Sequence, residues 1–260
     1  MISCIISALL AQAPVAAAPG APAAAEGSTT TGNVAAGAIV LTGNSQTTTF
    51  SVGAAFSRKT PDWIYGFKAS AAYGRSTDPA TGVRSTTALN GSAALRGERR
   101  FTPVTSLYLQ GIADTDHLKS VEWRPAAEGG VSFYLVDQKE GDFQSAAFRL
   151  DLGFRGGREY RFQYYPTVVN LPDETIAAPA AGFAGRYALS RDTIFTDELS
   201  ALVNVPNGPR LLLTNVAKLT TRLVRTLSFS VSFGIAEDSS PPPGKLDLDT
   251  NLTVSFELAI

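Results

Sequence analysis

Hydrophobic and polar positions alternate with a period of two from about Thr30 almost to the last residue. No segment there keeps the i, i+3, i+4 apolar spacing of an amphipathic helix. The clearest run puts Leu246, Leu248, Leu252, Val254, Phe256, Leu258 and Ile260 on one face and Asp247, Asp249, Asn251, Thr253, Ser255 and Glu257 on the other. Before it, Leu227, Phe229, Val231, Phe233 and Ile235 oppose Ser228, Ser230, Ser232 and Gly234, and further upstream Trp63, Tyr65, Phe67 and Tyr73 oppose Gly66, Lys68, Ser70 and Gly74. This pattern predicts an all-β chain.

About twelve such runs are countable, near 33–42, 46–58, 63–76, 83–97, 104–116, 119–137, 143–165, 176–189, 193–205, 210–222, 226–238 and 246–258. Ten or fourteen strands also fit, because the stretch from Val34 to Leu41 is similar on both faces, and Asp197 and Asn215 interrupt apolar ones. A tilted strand of about nine to eleven residues crosses a bilayer, whereas soluble strands average about five or six. The run lengths therefore predict a single antiparallel up-and-down transmembrane β-barrel over residues 30–260. The connections alternate in the same sense. Arg58 to Asp62, Gly97 to Pro103, Asp137 to Gly141, Ser190-Arg191-Asp192 and Val224-Arg225 are compact and suit periplasmic turns, while Ser76 to Gly82, Tyr165 to Thr175 and Glu237 to Gly244 suit longer outer loops. An even strand count puts both ends of the barrel in the periplasm.

The polar faces carry charge. Between Phe143 and Tyr165 the even positions Phe148, Leu150, Leu152 and Phe154 point one way and Arg149, Asp151, Arg155, Glu159 and Arg161 the other; in the run before it, Glu122, Arg124 and Glu128 oppose Val121, Trp123 and Val131. Burying so many charges in a dry core is prohibitive unless they are paired or hydrated. Lys68, Glu122, Arg124, Glu128, Arg149, Asp151 and Arg155 are therefore expected to face a wet lumen, either as a bracing lattice of ion pairs or lining a narrow pore. Mixed signs favour the lattice.

Charge and composition remove other classes. The 22 Lys and Arg nearly cancel the 23 Asp and Glu, leaving no basic surplus for nucleic acid. Cys4 is the only cysteine, so neither a disulfide framework nor a thiolate cluster is available. Residues 1–18 read as a secretory signal with a small-residue cleavage site at Ala11-Gln12-Ala13, although a basic n-region is missing, and the Ala- and Pro-rich residues 19–29 read as a disordered linker.

Thr42-Gly43-Asn44-Ser45 opening the first hairpin, and Pro241-Pro242-Pro243-Gly244-Lys245 leading into the last strand, resemble a family of bacterial proteins described as salt-induced outer membrane proteins, which carry a domain of unknown function. The likeness runs from about Gly32 to Leu258. It implies an outer-membrane barrel and little else, and it supplies no catalytic or ligand residues; outer-membrane lipid, lipopolysaccharide and the barrel-assembly machinery are the partners expected of such a barrel. One departure is that Phe256 is followed by Glu257-Leu258-Ala259-Ile260, where such barrels usually finish on an aromatic residue.

Little points to chemistry. The sole histidine, His117, lies beside Asp114 and Asp116 in an expected outer loop, the minimum for a hydrolase at the barrel rim. A G-x-S-x-G elbow is missing, Gly156-Gly157 reads as a strand bend, and Asp247 with Asp249 offers too few oxygens for a metal. No catalytic residue, metal or cofactor is expected. The leading reading is a non-enzymatic outer-membrane barrel with an envelope or osmotic-stress role or narrow solute passage. The alternatives are a rim hydrolase near His117 and a soluble periplasmic β ligand-binding protein.

Overall fold

The computed structural model describes residues 28–41, 46–78, 81–140, 143–165, 167–206 and 208–260. The expected signal peptide, all of the expected linker except Ser28 and Thr29, and the Thr42–Ser45 motif lie outside the described residues.

The alternating runs form long antiparallel strands: β1 (Thr29–Leu41), β2 (Gln46–Lys59), β3 (Trp63–Thr77), β4 (Arg84–Arg100), β5 (Thr105–Asp116), β6 (Val121–Glu140), β7 (Phe143–Gln163), β9 (Glu174–Ala188), β10 (Thr193–Asn204), β11 (Arg210–Arg222), β12 (Leu227–Asp238) and β13 (Leu248–Ala259). The two-residue β8 (Val169–Asn170) folds back on Phe162 and Gln163 inside the β7–β9 connection. Each long strand pairs with the next, and β13 returns to β1 in the register Asn33↔Ala259 to Gly37↔Ser255. The result is a closed twelve-strand barrel. Closure through the five β1–β13 pairs leaves no long strand as a free edge along its whole length, as a spanning sheet requires.

The strands outrun the predicted segments in places. Alternation continues in β4 through Glu98 and Arg100, so the connection to β5 shrinks to 101–104, and β6 and β7 stay paired down to Glu140↔Phe143. The last strand starts at Leu248, because three prolines and Gly244, at φ 79°, hold 239–247 as a loop. Tight connections at 60–62, 101–104, 189–192 and 223–226 gather at one end, and the longer 164–173 and 239–247 at the other. The exception at the loop end is 117–120, a four-residue turn closed by Ser120 at φ 61°.

The two faces of the wall differ as the alternation requires. Phe50, Val52, Leu95, Leu109, Phe154 and Phe256 are all more than half exposed on the outside. A belt of large apolar side chains around the whole circumference suits lipid and counts against the soluble ligand-binding alternative. Aromatic pairs stand at both ends. Trp63 stacks on Tyr65 at 5.8 Å at the tight-turn end, and Trp123 pairs with Tyr160 at the loop end.

One polar pair interrupts the belt. Asp197 shares its face with the exposed Phe195 and Leu199, and its Oδ1 accepts a 2.9 Å hydrogen bond from Asn215 Nδ2 on β11. Both residues sit near mid-strand, where a charge facing lipid is unfavourable. Replacing both together by Leu is expected to raise the urea midpoint of the folded barrel, by about 1 kcal/mol in stability. An unchanged or lowered midpoint would show that the pair stabilises the wall.

Candidate functional site: the barrel lumen

The inner face holds a polar interior built in two tiers. In the tier towards the tight turns, Arg96 is the hub. Its guanidinium donates to both carboxylate oxygens of Asp151 at 3.1 Å, to Glu98 Oε2 at 3.1 Å and to Ser132 Oγ at 2.6 Å, and it lies over the Tyr108 ring at 3.9 Å. Glu98, almost fully buried, also accepts from the Ser106 hydroxyl at 2.5 Å and from the Tyr134 hydroxyl. Arg149 adds a second cation to Asp151 at 3.1 Å. Alongside, Glu128 accepts from Arg155 Nε at 2.7 Å and from the Tyr108 hydroxyl at 2.8 Å. Tyr108 reaches that position because Gly153 faces it: a Cβ there would lie 2.5 Å from the Tyr108 oxygen.

In the tier towards the loops, the fully buried Glu159 stands among three arginines: Arg161 at 2.5 Å and Arg124 and Arg210 each at 3.2 Å. Arg210 also holds Glu174 at 2.7 Å and Asp238, Arg161 holds Glu174 at 2.6 Å, and Arg124 reaches Asp114 at 3.5 Å. Charges buried this deeply persist only when paired and hydrogen-bonded, and bidentate guanidinium–carboxylate geometry supplies both. Beside the tier towards the tight turns, Lys68 Nζ on β3 meets Glu198 Oε1 on β10 at 3.5 Å.

A cavity of about 500 Å³ runs along this charged wall, from Lys59, Arg100 and Asp137 at the tight-turn end to Asp238, Pro242 and Lys245 at the loop end. The part of the wall made by β12, β13, β1 and β2 carries small hydroxyl and amide side chains instead, among them the buried Thr49, Ser51, Ser230, Asn251 and Thr253. At the loop end several contacts clasp the mouth. Lys119 reaches Asp249 on β13 at 2.7 Å, and Lys245 donates to the Tyr165 carbonyl at 3.0 Å. Partial burial lowers the Lys245 pKa from its ordinary value, against the opposing pull of Asp116.

Of the residues the alternation assigns to the lumen, Lys68, Arg124, Glu128, Arg149, Asp151 and Arg155 line this cavity. Glu122 is placed elsewhere. Val121 pairs with Arg161 and Trp123 with Tyr160, so the register slips between them, and Glu122 is left exposed at the rim, accepting from the Tyr164 hydroxyl at 3.3 Å. Arg96, Glu98 and Arg210 were not among the assigned residues although they organise the tiers. The parity Asn90, Ser92, Arg96, Glu98 carries the signal for the first two, and the expectation of a turn from Gly97 hides it for Glu98. His117 stacks on Tyr164 at 4.3 Å, while Asp114 is engaged by Arg124 and Asp116 Oδ1 accepts from the Leu118 and Lys119 amides. Its neighbouring carboxylates are thus committed to other partners. Among the described residues, no group of three or more His, Cys, Asp or Glu is arranged to hold a metal ion.

Residues 34–260 match the family described as "Protein of unknown function, DUF481". No curated protein matches the chain. Among solved structures, an outer-membrane channel from Pseudomonas putida F1 aligns over 92% of this chain and 97% of its own, with a TM-score of 0.50 and 10% identity. The NanC porin aligns over 88% of this chain and 97% of its own, with a TM-score of 0.46 and 8% identity. At such identity the likeness to the channel is one of fold: the chain has the architecture of an outer-membrane barrel.

Proposed function

Because the chain belongs to that family, whose description assigns no activity, function has to be read from the lumen, and we propose that the protein is a non-enzymatic barrel of the bacterial outer membrane that passes small polar solutes. The observation that carries this is the cavity bordered by residues of both barrel ends and lined by paired charges. Its volume falls within the range of about 300–1,000 Å³ that accommodates small molecules. Twelve strands place the barrel between the filled eight-stranded barrels and the open sixteen-stranded porins, so passage should be narrow. Arginines and carboxylates alternate along the wall, and their fields cancel beyond a Debye length of about 8 Å, so selectivity between simple ions should be weak. A channel of this kind fits the envelope or osmotic-stress role expected from the amphipathic strands.

Planar-bilayer recording tests the reading. Small, stable conductance steps with little preference between potassium and chloride are expected, from protein whose gel mobility depends on heating. A silent bilayer, or recovery of the protein free in the periplasm, would overturn it. The hydrolase alternative loses support from the commitment of Asp114 and Asp116 to other groups. Hydrolysis of lipid or peptide substrates abolished by His117→Ala would restore it.

A further inference from the structure

The Lys68–Glu198 pair joins walls on opposite sides of the ring. Between β3 and β10 stand β2, β1, β13, β12 and β11 in one direction and β4, β5, β6, β7 and β9 in the other. The two strands are therefore diametrically opposed. Twelve strands about 4.8 Å apart and tilted by about 40° would close a circular barrel roughly 24 Å across, backbone to backbone. An extended lysine reaches about 6 Å from its Cα and a glutamate about 5 Å. With 3.5 Å between Nζ and Oε1, the two backbones stand no more than about 15 Å apart at this level. The cross-section is flattened, with its short axis from β3 to β10.

We propose that Lys68 and Glu198 form a tie across the waist of the barrel, which sets the narrowest point of the lumen and so the size of solute that passes. The tie divides the interior into two lobes. One, along β4 to β9, holds most of the arginine–carboxylate network, which Arg210 and Asp238 extend onto β11 and β12 at the loop end; the other, along β11 to β2, holds small hydroxyl side chains and the Lys218–Glu257 pair at 2.8 Å. Arg149 and Arg96 lie close enough to act on the Lys68 charge, and Arg149 and Lys218 on that of Glu198, so the tie stands among cations of the tight-turn tier and of β11. The tie joins two strands that are not neighbours in the sheet, so strand pairing does not depend on it. The lumen can widen there while the barrel stays closed.

This rests on the proposed passage of solutes, and its test separates the two. In protein with Cys4 replaced by Ser, spin labels on Ala69→Cys and Ala201→Cys, outward-facing beside the tie, report the β3–β10 separation. That distance should lengthen by several ångströms in Lys68→Ala/Glu198→Ala and return to the parent value in the charge-swapped Lys68→Glu/Glu198→Lys. A parent distance appropriate to a circular barrel, or one unmoved by the double alanine change, overturns the tie whether or not the protein conducts. Conductance tests its role as the constriction: the double alanine variant should pass at least twice the parent current, and the swap should restore it. A lengthened distance with unchanged conductance overturns the constriction, and a silent bilayer from both parent and variants, with the distance change present, overturns the passage reading and the constriction with it.

Discussion

Glu159→Ala should lower the stability of the folded barrel by about 3–5 kcal/mol, read as a fall in the urea midpoint at which the heat-modifiable band is lost. The carboxylate is fully buried and is shared by Arg124, Arg161 and Arg210, which approach one another only because a negative charge stands between them. Removing it leaves three guanidinium groups with Glu174, Asp238 and Asp114 as their remaining partners. Glu159→Gln should cost less, because the amide oxygen can still accept from one arginine. Arg158→Ala is the contrast. Its pair with Asp173 is largely exposed, and such pairs contribute about 0–1 kcal/mol. Equal midpoints for Glu159→Ala and Arg158→Ala would show that the buried tier is not what holds this end together.

The faces of the strands were legible in the sequence because a period of two has only two answers. Phe148, Leu150 and Leu152 had to oppose Arg149 and Asp151 whichever barrel or sheet they joined, and the structure adds only which face is outward. Legibility failed where the backbone departs from the period. Ser120 adopts a left-handed conformation and the β6–β7 register slips after Val121, so Glu122 leaves the face that simple counting assigns to it. It failed again for pairings between distant strands. Parity puts Lys68 and Glu198 on the inner wall, but it carries no information on which residues stand opposite at the same height, since that depends on strand order, tilt and shear together. The same holds for Arg210, whose partners Glu159 and Glu174 lie on β7 and β9. Asp197 and Asn215 were visible as breaks in apolar faces, and the structure accounts for them as one hydrogen-bonded pair.

Arg96→Met should change ion selectivity more than any other single substitution in the lumen. Arg96 serves Asp151, Glu98 and Ser132 from one guanidinium, and methionine keeps a stem that can lie against Tyr108 while removing the charge. Asp151 then retains Arg149 and Ser132, and Glu98 retains the Ser106 and Tyr134 hydroxyls, so the carboxylates stay fixed in place with one positive charge fewer beside them. An extra attraction of about 1 kcal/mol for a cation at the wall corresponds to roughly a fivefold change in permeability ratio. The reversal potential in a potassium chloride gradient should move to match a several-fold cation preference, with conductance rising because cations concentrate beside the less compensated carboxylates. Adding Asp151→Asn to Arg96→Met separates the two effects. Selectivity should return towards the parent as the charge balance is restored, and a conductance that stays raised would then report the shorter tip of the methionine side chain rather than charge. Arg155→Ser removes the same charge from beside Glu128, which keeps its hydrogen bond from Tyr108, and should produce a smaller shift of the same sign. A reversal potential that does not move in Arg96→Met would mean that permeating ions never approach this wall, and that the cavity beside it is not the path.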